Sequence, residues 1–172
     1  MQKSIWIFGI IAGAFCATLE FLYYKSTNFS AMTMYLSKLA VLIICVVLGL
    51  ILVRKLLGGT ISIGRTLLSG VLISLIRAAV MIGFFTYFYQ PNGEFYAAKL
   101  QESFMQAEKK VTADEQIKPE DKPNELELAK QQIASQFSPR GYATLAIIGS
   151  VITGFIISIL TAVFISKNMM YE

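Results

Sequence analysis

Four runs of about 20 residues, almost free of charge, leave this chain few folds to choose from. A bilayer core about 30 Å thick is crossed by roughly 20 apolar residues in a helix, because hydrocarbon offers no partner for backbone N–H and C=O groups. The runs extend from Ser4 to Tyr24, Thr33 to Val53, Thr66 to Tyr89 and Gly141 to Ser166. Residues suited to a membrane–water interface mark their ends. Lys3 and Tyr23-Tyr24-Lys25 flank the first, and Arg54-Lys55 stops the second. Phe84, Phe85, Tyr87, Phe88 and Tyr89 close the third before the breaker Pro91-Asn92-Gly93, and Arg140 and Lys167 bound the fourth. The first run continues well past Ala12-Gly13-Ala14, which favours a span over a cleaved secretory signal. The expectation is an all-α polytopic membrane protein with four transmembrane helices. Residues 1–90 hold the first three, residues 91–140 a polar extracytoplasmic loop, and residues 141–172 the fourth with a short cytoplasmic tail.

Composition narrows the function classes. Only 15% of the residues are charged, against roughly a quarter in soluble domains. The net charge of +4 does not indicate nucleic acid, since the basic residues punctuate apolar runs instead of clustering on a soluble face. Histidine is absent, and both cysteines, Cys16 and Cys45, lie inside apolar runs, where they act as small hydrophobes. Zinc, haem and thioredoxin-type chemistry therefore have no ligand set, and no nucleophile–base pair can be assembled. We expect no cofactor, no metal and no enzymatic activity.

The loop has its own pattern. Glu94 to Lys110 reads as an amphipathic helix with Phe95, Ala98, Met105 and the neighbouring aromatics on its apolar side and Lys, Glu and Gln on the other. Thr112-Ala113-Asp114-Glu115 matches a capping box that would start a short helical turn. Pro119 and Pro123 then interrupt, and a second helix from Asn124 to Gln136 aligns Leu126, Ala129 and Ile133, with Phe137 just beyond. Together these predict a helical hairpin near the membrane between the third and fourth spans, with a disordered linker as the competing expectation.

Orientation follows from Lys and Arg near the span ends. Lys3, Arg54, Lys55, Arg65 and Lys167 fall on one side; Lys25, Lys99, Lys130 and Arg140 fall on the other. Arg54, Lys55 and Arg65 crowd one short loop, whereas the long loop is rich in Asp and Glu, which retain a segment only weakly. Both termini are thus expected in the cytoplasm, with the long loop outside.

The stretch Leu57-Gly58-Gly59-Thr60-Ile61-Ser62-Ile63-Gly64-Arg65, leading directly into the third span, resembles that of an uncharacterised family of small four-helix bacterial membrane proteins, domain of unknown function 4199. Ser138-Pro139-Arg140-Gly141 resembles the family's return into the membrane, while Ile63 stands where an aromatic residue is common. The resemblance covers nearly the whole chain. It implies a multi-pass protein of a bacterial inner membrane, and it brings no activity. Gly58-Gly59 with Gly64 lacks the Gly-Lys-Ser/Thr ending of a phosphate-binding loop and reads as a tight turn.

Three ionisable residues fall inside the spans: Glu20, Lys38 and Arg77. Such a residue at a helix centre costs about 2.5–3.5 kcal/mol on insertion scales, so each is a candidate site residue. Glu20 lies about four residues below the outer end of its span and Arg77 about twelve below the end of the third, a depth gap of roughly 12 Å. Lys38 matches the depth of Glu20, so the expected pair is Glu20–Lys38, with Arg77 reaching water or a partner subunit. Small residues recur every fourth position in three spans: Gly9, Gly13 and Ala17; Gly70, Ser74 and Ala78; and Ala146, Ser150, Gly154, Ser158 and Ala162. Such stripes let helix backbones approach closely, within one bundle or across a homodimer. The function expected is a non-enzymatic accessory or scaffold subunit that contacts a membrane-protein partner through its outer loop. The competing expectation is a small transporter or channel, as a dimer, whose polar path uses Arg77 and Glu20.

Overall fold

The computed structural model describes residues 2–25, 31–88 and 93–167, with the side chains of residues 2, 24, 25, 31, 95 and 165–167 set aside. The roles expected of Tyr24, Lys25, Tyr89, Phe95 and Lys167, the breaker at Pro91-Asn92 and the tail after Lys167 lie outside that description. The described elements are all helical: α1 (Gln2–Lys25), α2 (Ala31–Leu56), α3 (Ile63–Phe88), α4 (Glu94–Ala113), α5 (Lys122–Gln136) and α6 (Pro139–Lys167). Four of them, α1, α2, α3 and α6, are long and apolar enough to cross a membrane. Their outward surfaces carry large exposed apolar side chains such as Trp6, Ile44, Leu68 and Ile152. A helix that is apolar all round belongs in hydrocarbon.

Local chemistry sets where these helices begin and end. Basic residues do not stop α2; it runs through Arg54 and Lys55 to Leu56 and is closed by glycine. Gly58 and Gly59 adopt φ +80° and +93°, a left-handed conformation that costs glycine no Cβ clash. The Gly59 N–H donates to the Arg54 carbonyl at 3.0 Å and the Gly58 N–H to the Lys55 carbonyl at 3.3 Å, a Schellman closure. Arg54 Nε returns a bond to the Gly59 carbonyl at 2.6 Å. The next helix starts at Ile63, before the expected Thr66, because Ser62 caps it. Ser62 Oγ accepts from the Arg65 N–H at 3.4 Å, and the Ser62 carbonyl accepts from the Thr66 N–H at 3.0 Å. Likewise α6 starts at Pro139, before the expected Gly141. Proline is suited to a helix's first position, and Ser138 Oγ accepts from the Gly141 N–H at 3.0 Å.

The described chain forms two compact units, one of residues 1–83 and 146–172 and one of residues 84–145. In the first, the buried core gathers Ile5, Leu42, Val46, Leu50, Val53, Ile61, Ile73 and Ile157. The helix α3 approaches each of the other three. A Cβ built on Gly9 would lie 2.6 Å from Ile76 Cβ, one on Gly13 2.5 Å from Val80 Cβ, and one on Gly49 2.6 Å from Ile73 Cδ1. Against α6 the contact is reciprocal: the Ser158 hydroxyl sits on Gly70, and Ser74 Oγ lies 2.5 Å from a Cβ built on Gly154. Positions rise by four on one helix as they fall by four on the other, so the helices are antiparallel, and the same register brings Thr66 level with Ala162 and Ala78 level with Ser150. All four of those side chains are buried. The small-residue stripes thus serve close packing within one chain.

In the second unit α4 and α5 pack on each other. Phe85 stacks on Tyr142 with ring centroids 3.7 Å apart, and Phe137 meets Tyr96 edge-on at 6.3 Å. The half-buried stripe of α5 is Leu126, Ala129 and Ile133, continued by Phe137. On α4 the aromatics Tyr96 and Phe104 are half-buried with Leu100, Ala107 and Val111, whereas Ala98 and Met105, expected on the same side, are exposed. The expected capping box is also corrected, because α4 continues through Thr112 to Ala113. Asp114 Oδ1 instead accepts from the Gln116 N–H at 2.9 Å beyond the helix end. Pro123 does not interrupt; it occupies the first turn of α5, which begins at Lys122.

Candidate functional site within the membrane helices

Glu20 lies near the end of α1 and Lys38 in the second turn of α2, which packs against α1. Lys38 Nζ donates to Glu20 Oε2. The two side chains are 12% (Glu20) and 21% (Lys38) exposed, so the charges neutralise each other where little water could screen them. One turn before Glu20, the Cys16 thiol donates a weak bond to the Lys38 carbonyl at 3.9 Å. The structure therefore brings together the two residues whose depths matched.

Arg77 stands apart from them on α3. It is half-buried, and its Nε is shielded and makes no hydrogen bond. No ion pair joins it to Glu20 among the described residues. One turn earlier Ser74 is 0% exposed, and its Oγ is the other shielded atom without a partner. Helical hydroxyls in a span normally close back on the carbonyl four residues earlier. Thr66, Thr153, Ser158 and Thr161 do so, on Ser62, Gly149, Gly154 and Ile157. Ser74, pressed against the Gly154 backbone, does not.

Two donors one turn apart, a guanidinium N–H and a hydroxyl, thus lie inside the span without an acceptor. A buried donor left unsatisfied costs about 1–3 kcal/mol. The stripe pattern had singled out Ser74 as a small residue only. Its polar role depends on Gly154 lying opposite, which no local signal reveals. No group of three or more His, Cys, Asp or Glu capable of holding a metal occurs among the described residues. Cys16 and Cys45 are both buried, free thiols.

A family model described as a protein of unknown function, DUF4199, matches residues 7–167. No curated protein and no solved structure matches the chain.

Proposed function

The chain belongs to the DUF4199 family, a membership that carries no activity, and we propose that it is a non-enzymatic accessory or scaffold subunit of a bacterial inner membrane. In this reading both termini are cytoplasmic, and α4 and α5 form an outward hairpin that contacts another membrane protein. The supporting observation is the surface of those two helices. Met105 and Leu128 are 50% and 52% exposed, off the stripes that α4 and α5 bury, on faces that are mostly polar. Exposed apolar side chains on two helices that pack together offer a partner apolar area to bury. The test places a photo-crosslinking residue at Met105 or Leu128 in native membranes. A discrete protein adduct is expected; recovery of a solitary monomer with no adduct from either position rejects the reading.

A second reading, a small transporter or channel, draws on the unpartnered Arg77 Nε and Ser74 Oγ. Intramembrane ionisable groups commonly mark a substrate or ion path. Flux into liposomes that falls with Arg77→Ala and with Glu20→Ala supports it, and flux that is absent or unaffected removes it.

A further inference from the structure

Between α2 and α6 runs an apolar groove of about 590 Å³, a size that accommodates a small ligand. Its α2 wall is Ile43, Val47, Ile51 and Arg54, and its α6 wall includes Leu160 and Phe164. Thr161 also lines it, but its hydroxyl donates to the Ile157 carbonyl at 2.7 Å and so presents no free donor. From Ile43 to Arg54 the rise is roughly 16 Å at 1.5 Å per residue. That is about half of a 30 Å hydrocarbon core, or one leaflet. A transmembrane helix of a second copy would need a furrow twice as long and would set apolar side chains against Arg54.

Among the described residues the groove's one charge, Arg54, lies at its end. Arg54 Nε is held by the Gly59 carbonyl at 2.6 Å, and the Gly58-Gly59 turn keeps that carbonyl in place. The guanidinium is thereby held at the mouth, and its terminal nitrogens, which bond no acceptor among the described residues, suit a planar, two-pronged bond to phosphate. No counter-ion is available from the surrounding helices: residues 21–93 and 139–167 contain no Asp or Glu, while Lys55 and Arg65 add to the local positive charge.

We propose that this groove binds one anionic phospholipid, with an acyl chain along Ile43, Val47 and Ile51 and the headgroup phosphate on Arg54. Basic pockets between transmembrane helices recognise anionic headgroups in this manner. The site needs only that the four helices span a bilayer; it is independent of the scaffold and transporter readings.

The experiment is native mass spectrometry of the delipidated full chain with equimolar phosphatidylglycerol and phosphatidylcholine. The intact protein is expected to retain phosphatidylglycerol at least about tenfold over phosphatidylcholine, equivalent to about 1.4 kcal/mol. Arg54→Gln is expected to bring the two lipids near parity, and Lys55→Gln, which removes the same charge outside the groove, to leave the preference intact. Leu160→Trp, which fills the groove and leaves the Gly58-Gly59 turn untouched, is expected to lower retention of both lipids. Equal retention by the intact chain overturns the proposal, as does an equal loss in Lys55→Gln and Arg54→Gln, or undiminished binding in Leu160→Trp. Disulfide capture of a second copy through Leu160→Cys would likewise assign the groove to a dimer.

Discussion

Lys38 and Glu20 meet where α1 packs on α2; there both are largely shielded from solvent and their opposite charges offset one another. Removing one partner of a half-buried pair costs less than the roughly 3–5 kcal/mol of a fully buried one, whereas replacing both by uncharged groups is often close to neutral. Lys38→Met alone is therefore expected to lower stability in a detergent-denaturation titration by less than that, and Glu20→Gln combined with Lys38→Met to restore most of the loss. Strictly additive losses in the double-mutant cycle would show that the pair contributes nothing of its own. The pairing was legible in the sequence because position along two spans gives depth, and depth restricts which charges can meet. The half-buried Lys99–Glu102 pair, 2.8 Å apart and three residues apart on α4, has no such leverage, because a pair on neighbouring turns of one helix says nothing about which helices meet.

The reciprocal crossing of α3 and α6 gives its glycines unequal roles. At Gly70 and Gly154 an added side chain meets Ser158 and Ser74 across the interface, whereas at Gly149 nothing lies within 4 Å of a built Cβ. Gly70→Val and Gly154→Val are expected to cost about 1–3 kcal/mol by overpacking. Gly149→Ala is expected to be neutral or to gain up to about 1 kcal/mol, since alanine is the better helix former. Thermal unfolding in one detergent compares all three, and a loss in Gly149→Ala as large as in Gly70→Val would disprove the assigned crossing. The spans were legible from apolar length alone, but their limits were not. Arg54 and Lys55 looked like a stop although charge at a helix end is compatible with helix, and Ser62 and Ser138 start helices earlier by supplying caps. On α4 two apolar faces compete in the sequence. Tyr96 wins over Ala98 and Met105 because Phe137 supplies its ring partner, a contact between residues far apart in the chain. Thr112 fits the capping pattern but lies one turn from Glu108 on a helix that Val111 keeps packed, so the helix propagates through it.

For the molecule as a whole, orientation rests on the crowding of Arg54, Lys55 and Arg65. The two native cysteines are buried, so introduced thiols report topology against a silent background. In intact cells a membrane-impermeant maleimide is expected to label Glu120→Cys and to reach Lys55→Cys only after permeabilisation. The reverse pattern would invert the topology and leave the helix packing unaffected. The opposite charges across α1 and α2 have a further consequence for biogenesis. Either helix released alone would carry an uncompensated charge within its span, at a cost below the roughly 2.5–3.5 kcal/mol of a helix centre, whereas together Glu20 and Lys38 offset each other. Only residues 26–30 separate them, so the least penalised route out of a translocon is lateral exit of both as one preassembled hairpin.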